Sequence, residues 1–109
     1  MSAYVIANVK VLDPQRYQEY VKQSPISITA HGGKFLARAG KAEALEGDVM
    51  PNRIVILEFP SYERAKEWWN SEMYRLAKGL RQSASEASLI LVDGAPPGTV
   101  AAARSEPRC

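Results

Sequence analysis

Cysteine and histidine are almost absent from this sequence, which contains one residue of each, Cys109 and His31. A single cysteine excludes an internal disulfide, and a single histidine excludes a metal site or a catalytic set that draws on several histidines. We therefore predict no metal site and no bound cofactor. Cys109 has no activating neighbour except Arg108, so we assign it no role.

Charge of one sign is equally scarce, because the formal net charge is only +2 over 109 residues. Such a balance gives no electrostatic basis for binding nucleic acid or an acidic membrane surface. The apolar runs are far too short to span a bilayer, and residues 1–4 have neither the basic nor the apolar segment of a signal peptide. We therefore expect a cytoplasmic protein that binds neither nucleic acid nor membranes.

The composition that remains, 46% hydrophobic and 24% charged, is typical of one soluble domain with one core. From Ala95 onward the composition changes to alanine, proline, glycine, arginine and serine without periodicity. Such a segment buries too little apolar surface to offset its ordering entropy. The sequence therefore predicts a domain over residues 1–94 and a flexible tail over residues 95–109.

Four segments have the short, β-branched or alternating apolar pattern of strands. The run at Arg53–Phe59 is apolar on both faces except for Glu58, and it stops at Pro60. Gly40 indicates a bulge or break, so the second and third segments should form an antiparallel hairpin with a long tip. The four predicted strands are Tyr4–Val11, Lys34–Arg38, Arg53–Phe59 and Ser88–Val92.

Two helices separate these strands. Asp13-Pro14 begins the first helix, Ser24-Pro25 predicts a second cap with a kink, and Gly32-Gly33 ends the helix. Ser61 caps the second helix and Ser71 predicts a local break, while residues 81–87 are expected to be a connector. The apolar stripe of the second helix is predicted to continue through Tyr62, Ala65, Trp69, Met73, Leu76 and Leu80.

The order strand, helix, strand, strand, helix, strand predicts an α+β fold of the ferredoxin-like kind. In that fold a four-stranded antiparallel sheet carries both helices on one face. The other face would stay bare, yet the predicted strands are largely apolar on both sides. A large exposed apolar face usually marks an interface, so we expect a homodimer in which two sheets pack face to face.

Several motifs, taken in order, make the chain resemble a bacterial family catalogued as domain of unknown function 1330. The resemblance runs from about Ala3 to Gly94, and His31 departs from it, because the family commonly shows an aromatic residue there. The matching segments are Ala3–Val9, Asp13-Pro14 with Tyr17, His31–Arg38, Glu46-Gly47, Arg53 with Glu58–Ser61, and Trp69–Tyr74.

The resemblance implies a ferredoxin-like protomer and a dimeric α+β barrel. The family is similar to a group that includes cofactor-free monooxygenases, haem-degrading enzymes and muconolactone isomerase-like proteins. It implies no established activity for this chain.

Glu58 and Arg38 are the first candidates for chemistry, because they lie on neighbouring strands of the predicted hairpin. In one interpretation they form a structural ion pair. In the other, Arg38 binds the carboxylate or enolate of a ligand, and Glu58 is a base whose pKa is raised by burial. His31 is the third catalytic candidate, although a histidine at a helix C-terminus also stabilises the helix dipole.

The ligand-binding candidates are polar or aromatic residues beside the predicted core. Trp69 lies on the apolar stripe. Trp68 and Tyr74 lie off the stripe and could line a pocket between helix and sheet. Tyr17 and Tyr20 are expected to face the core, and Arg53 and Arg81 to be solvated. The candidate set is Asn8, Arg38, Trp68, Trp69 and Tyr74.

These features predict a small cytoplasmic homodimer that binds a small aromatic or anionic metabolite between sheet and helices. It would act as a cofactor-free monooxygenase- or isomerase-like enzyme. The alternative is a non-enzymatic ligand-binding or dimerisation module. A further hypothesis is haem binding with His31 as axial ligand.

Overall fold

The computed structural model describes residues 2–96, which form a four-stranded antiparallel sheet with three helices on one of its faces. The strand order is β2-β3-β1-β4, so β1 and β3 are central and β2 and β4 are edges. The predicted α+β class and split topology are confirmed. The elements are β1 (Ala3–Val11), α1 (Pro14–Ala30), β2 (Lys34–Arg38), β3 (Arg53–Phe59), α2 (Tyr62–Asn70), α3 (Glu72–Ala84) and β4 (Ser85–Asp93).

Strand β1 shows how alternation builds the two faces of the sheet. Its odd-numbered residues are buried beneath the helices, whereas Tyr4, Ile6 and Asn8 point to the opposite face. The register pairs Val5 with Leu57 and with Leu91, so these three side chains share the helix-covered face. The largest core side chains lie on that side of the sheet, namely Phe59, Trp68 and Tyr74.

Helix α1 begins as predicted, since the Asp13 carboxylate accepts a hydrogen bond from the Arg16 amide at 3.2 Å. The predicted interruption at Ser24-Pro25 is wrong, because the helix continues through Pro25 to Ala30. An interior proline costs about 3 kcal/mol. Residues on both sides of it are buried against the core, including Tyr17 and Ile28, and breaking the helix would expose that face.

Gly32 and Gly33 end α1, as the sequence predicts, and each is required for a different reason. Gly32 has a φ of 78°, which L-residues with a side chain rarely adopt. A Cβ at Gly33 would lie 2.6 Å from the Phe59 ring and 2.8 Å from Ile28 Cγ2. The pair therefore lets the chain turn while passing directly over the end of β3.

The predicted break at Ser71 is confirmed, and it changes which residues are buried. Ser71 Oγ accepts from the Tyr74 amide and donates to the Trp68 carbonyl, so α3 begins in a new phase. The predicted continuous stripe is therefore wrong, and Met73 and Leu76 are exposed. The predicted connector over residues 81–87 is also wrong, since α3 runs to Ala84 and β4 begins at Ser85. The buried face of α3 consists of Tyr74, Ala77, Arg81 and Ala84.

No element of residues 2–96 covers the face of the sheet opposite the helices. The middle of that face is apolar, as expected, while polar side chains such as Asn8, Lys34 and Glu58 lie toward its ends. We call it the open face and define it by its apolar side chains. The apolar side chains of the open face are Tyr4, Ile6, Ala37, Ile54, Ile56, Ile90 and Val92.

The bulge of the β2–β3 hairpin falls between Phe35 and Ala37 instead of at Gly40. Residues 39–52 connect β2 to β3 without a helix or strand.

None of the helices between residues 2 and 96 has the length and apolar character that crossing a bilayer requires. The tail prediction concerns residues that lie mostly beyond position 96, and Cys109 is among them. Those residues are outside the part of the chain that the structure describes.

Candidate functional site

A small cavity lies between α1 and the helix-covered face of the sheet. Its volume is about 30 Å³, which is room for about two water molecules or one carboxylate-sized group. Arg38, on the edge strand β2, is the exposed residue among those that line the cavity. The cavity therefore opens to solvent at the β2 edge of the sheet. We call it the arginine–tyrosine cavity, after its polar lining residues Tyr17, Tyr20, Arg38, Arg53 and Arg81.

Arg81 is the most unusual residue of this wall. Helix α3 carries it on the buried face, where only 4% of its surface is exposed. Its Nε atom has no hydrogen-bond partner, and neither has the buried Nε of Arg53 on β3. Buried guanidinium groups are normally paired with a carboxylate or with carbonyl oxygens. The expectation that Arg81 is solvated is wrong, while Arg53 is half-buried and solvated only in part.

The cavity carries positive charge without a compensating anion. Within residues 2–96, no carboxylate lies within 4.0 Å of the guanidinium nitrogens of Arg38, Arg53 or Arg81. The Arg38 guanidinium instead stacks over the Phe35 ring at 4.3 Å. The Arg53 guanidinium lies 5.4 Å from the ring centroid of Tyr17. The charged groups of the wall are therefore planar guanidinium cations.

Two tyrosines add neutral hydroxyl groups to the same wall. Burial raises the pKa of Tyr17 above its ordinary value, and the nearby Arg53 and Arg81 only partly offset the rise. Burial and the Tyr74 hydroxyl together raise the pKa of Tyr20. The Tyr20 and Tyr74 hydroxyl oxygens are 2.9 Å apart. Tyr17 and Tyr20 are therefore protonated at neutral pH and can donate hydrogen bonds.

No carboxylate, histidine, cysteine or lysine from the described part of the chain lines this cavity. Guanidinium groups do not deprotonate in proteins, and the phenols keep their protons. The lining can therefore hold an anion and orient it, but it offers no ordinary base. Among residues 2–96, no group of three acidic, histidine or cysteine side chains is placed to hold a metal ion.

The expected pairing of Arg38 with Glu58 is wrong. The bulge places Arg38 opposite Val55 on the helix-covered face, while Glu58 is opposite Lys34 on the open face. Glu58 lies 3.4 Å from the Lys34 ammonium and accepts a hydrogen bond from Tyr4. A hydrogen bond from Ser2, with Lys34 and Tyr4, holds the pKa of Glu58 below its usual value, against the expected rise. A catalytic role for either residue stays a prediction.

Asn8 does not point into the cavity, although the sequence favoured that position. Its even position on β1 directs the side chain to the open face. There its Nδ2 donates to the Met50 carbonyl at 3.0 Å, and its Oδ1 accepts from the Asn52 amide at 2.9 Å. Asn8 therefore anchors the end of the β2–β3 connection.

The three aromatic candidates pack against one another, with ring centroids 4.2 to 6.1 Å apart, but they differ in burial and in their contact with the cavity. Trp68 is buried in the core, where its Nε1 donates to the Ser27 hydroxyl at 3.1 Å, and it lines the arginine–tyrosine cavity. Tyr74 is fully buried and does not line the cavity, but it contacts two lining residues, Tyr20 and Trp68. The half-buried Trp69 receives the Lys78 ammonium on its ring face at 4.1 Å. The expectation that Trp69 packs in the core while Trp68 and Tyr74 lie off it is wrong.

A wider groove of about 360 Å³ runs beside β4 on the other side of Trp68. Trp68 and Trp69 both line it, together with Tyr62, Lys66 and Ile90. Its wall contains no unpaired buried polar atom from residues 2–96, and its charged lining residue, Lys66, is exposed.

His31 is the residue that follows α1, and it does not line the cavity. Its Nδ1 lies 2.8 Å from the Ser27 carbonyl oxygen, and its backbone amide donates to the Ile28 carbonyl. These contacts agree with the expected role at a helix end. Catalysis or haem binding by His31 stays a prediction, and Nε2 is the nitrogen that it would require.

Of the five predicted ligand residues, the cavity brings together only Arg38 and Trp68. The sequence interpretation missed Arg53 and Arg81. A usable indication was present for Arg81, because a cap at Ser71 starts a new helical phase. From that cap, Tyr74, Ala77, Arg81 and Ala84 follow at spacings of three, four and three.

The model of the family described as Domain of unknown function (DUF1330) matches residues 2–95. Among solved structures, a protein of unknown function from Rhodopseudomonas palustris has a TM-score of 0.72 at 22% identity, covering 88% of this chain and 84% of that one. The cofactor-independent oxygenase SnoaB from Streptomyces nogalater has a TM-score of 0.60 at 9% identity, covering 89% and 96%. An antibiotic biosynthesis monooxygenase has a TM-score of 0.51 at 14% identity, covering 88% and 100%.

The TM-scores show that the chain shares the ferredoxin-like fold of these structures. Among curated proteins, none matches the chain significantly.

Proposed function

The chain belongs to the family described as Domain of unknown function (DUF1330), and from that premise we propose that it binds a small anionic or aromatic metabolite in the arginine–tyrosine cavity. One observation supports this proposal above the others. Arg53 and Arg81 line the cavity with buried Nε atoms that have no partner in residues 2–96. A ligand that supplies the missing acceptors would remove the cost of burying these groups.

The chemistry proposed for this site is cofactor-free oxygenation of an acidic enol or phenol. In such a reaction the substrate loses a proton to solvent, since the cavity wall offers no base, and its own electrons reduce O2. A methylene group of the substrate becomes a carbonyl group as one oxygen atom enters it, and the second oxygen atom leaves as water. The similarity to a cofactor-independent oxygenase supports this class, and guanidinium groups suit the enolate that forms.

Oxygen uptake with a hydroxyanthrone tests the proposed reaction, because the methylene protons of that compound are acidic. Its enolate oxygen can enter the cavity of about 30 Å³ while its rings, which do not fit, extend toward the β2 edge. We expect the protein to accelerate uptake above spontaneous oxidation, and the Arg81→Met variant to lose most of the acceleration. The exposed Arg75 of the same helix supplies the matched control, Arg75→Met. Uptake equal to the spontaneous rate with every acidic enol tested would contradict the oxygenase proposal.

The second candidate function is ligand binding without turnover. It is favoured by the cavity wall, which contains no carboxylate or histidine to accept a proton from a substrate. An isomerase-like reaction would need such a group even more, since it must return the proton. Saturable binding of a hydroxyanthrone without oxygen uptake or rearrangement would favour this function over the first.

We also propose that the protein is a cytoplasmic homodimer formed through the open face. Ile6, Ile90 and Val92 are exposed there, and contiguous apolar surface of this kind is usually an interface. A symmetric pair would bury the same side chains on both copies.

A further inference from the structure

We propose that Arg53 and Arg81 form an anion subsite for the carboxylate of a flat aromatic acid, whose ring extends toward Phe35 at the β2 edge. This inference rests on the proposed function, because it requires that the cavity binds a small molecule. It adds the chemical class of the ligand, the residues that recognise it and the direction in which it lies.

The first argument concerns the cost of burying Arg81. Removing a charged group from water costs several kcal/mol even after relaxation. The position of Arg81 in the last turn of α3 recovers part of that cost, because the helix dipole favours cations near a helix C-terminus. No hydrogen bond from its side chain to residues 2–96 recovers the rest. A purely structural role therefore leaves the burial uncompensated.

The surroundings of Arg81 are positive as well. Burial lowers the pKa of the Lys78 ammonium, and the neighbouring Arg81 lowers it further. Lys78 is held by the Trp69 carbonyl at 2.9 Å and by the faces of two aromatic rings, without a carboxylate. Lys78 does not line the cavity, but it adds positive charge near Arg81, so Arg53 and Arg81 together favour one negative charge in the cavity.

The second argument concerns shape. A guanidinium group presents a planar fork that matches the two oxygens of a carboxylate. The cavity of about 30 Å³ accommodates such a group but not a ring in addition. The remainder of the ligand must therefore leave the cavity where the wall is exposed, at Arg38. There the ring of Phe35 is already covered by the Arg38 guanidinium at 4.3 Å, a position that a ligand ring can take instead.

The third argument is that the ligand must already be ionised when it binds. The tyrosine hydroxyls in the wall are protonated, and no lining group accepts a proton at neutral pH. A carboxylic acid with an ordinary pKa arrives ionised, so it needs no base. Inorganic phosphate is an anion without an aromatic ring, so it serves as the comparison that separates recognition of the charge from recognition of the ring.

The test is calorimetric titration of the full chain with benzoate, its uncharged isostere benzamide, and inorganic phosphate. We expect benzoate to bind at least about tenfold more tightly than benzamide, since a charge-assisted hydrogen bond is lost with the amide. Arg81→Met and Arg53→Met should each weaken benzoate about tenfold or more. The exposed Arg75→Met control should leave benzoate affinity within about twofold.

The arginine Nε–Hε signals of the unchanged protein provide a readout that no folding defect of a variant can affect. Benzoate should shift the signals of Arg53 and Arg81, and not that of Arg75. Equal binding of benzoate and benzamide would overturn the anion subsite while leaving the proposed ligand cavity in place. Tight binding of phosphate without benzoate would overturn the aromatic class, and no binding of any probe would overturn both proposals.

Discussion

Glu58 and Lys34 face each other across β3 and β2, with 3.4 Å between carboxylate oxygen and ammonium nitrogen. Hydrogen bonds from Ser2 and Tyr4 and the Lys34 charge hold the pKa of Glu58 below its usual value. A depressed carboxyl pKa stabilises the folded state above the pKa of the unfolded chain, about 4.3. That stability is lost as the pH falls through the lower, folded-state value.

Replacing Glu58 by glutamine should therefore flatten the acid limb of the stability curve. We expect Glu58→Gln to lower the free energy of unfolding at pH 7 and to leave it nearly unchanged at a pH below the folded-state pKa. Urea unfolding at several pH values measures this difference. Glu63→Gln, on an exposed turn of α2, is the control. A deficit that is the same at acid and neutral pH would contradict the role of the Glu58 charge.

The buried tyrosines give a second prediction at the level of single residues. The chain contains five tyrosines, and burial raises the pKa of Tyr17 and Tyr20. In a spectrophotometric titration, these two should stay protonated when exposed phenols ionise near pH 10. Tyr20→Phe should reduce the late-ionising absorbance. Simultaneous ionisation of all five in the folded protein would contradict the burial of the cavity wall.

At the level of elements, the junctions between helix and strand decide the fold. The α1–β2 turn passes so close to β3 that a Cβ at Gly33 would meet the Phe59 ring and Ile28. We expect Gly33→Ala to destabilise the protein by about 1–3 kcal/mol, as overpacking does. Thermal or urea unfolding measures the change.

Gly79 in the exposed part of α3 is the matched control for this prediction. A Cβ there would meet nothing within 4 Å. Gly79→Ala should therefore stabilise the protein by about 0.5–1 kcal/mol, because alanine favours the helix. If both alanine variants changed stability equally, the close approach at Gly33 would be wrong.

The sequence predicts these elements because their determinants are local. The helix caps and the two glycines that end α1 each act within one turn of the chain; the caps are Asp13, Ser61 and Ser71. The alternation of residues between the two faces of a strand can be read directly from the sequence. The buried face of α3 is harder to predict, because Ser71 starts a new helical phase and the sheet decides which side of the helix is buried. Arg81 was therefore missed. Arg38 and Glu58 were paired wrongly because a bulge at Leu36 moves the two side chains to opposite faces.

At the level of the whole molecule, the open face governs assembly. Ile90 on β4 is 61% exposed there, and no element of residues 2–96 covers it. Native mass spectrometry should record a particle of twice the 12.0 kDa chain mass. We expect Ile90→Asp to shift the population to monomer, because a buried charge at the interface costs several kcal/mol.

Leu76 on α3 is 67% exposed and lies away from the open face, so Leu76→Asp is the control and should leave the dimer intact. A monomer for the unchanged protein, or equal loss of dimer in both variants, would contradict the proposed interface.

The account as a whole depends on Arg81 being kept for a ligand and not for the fold. Calorimetric unfolding of the unchanged protein and of Arg81→Met, each with and without benzoate, tests this claim most directly. In buffer we expect the variant to unfold at the same temperature or up to about 4–8 °C higher, since about 1 kcal/mol of burial cost is removed. Benzoate should raise the unfolding temperature of the unchanged protein only. A variant that unfolds several degrees lower in buffer, and that benzoate still stabilises, would contradict the account.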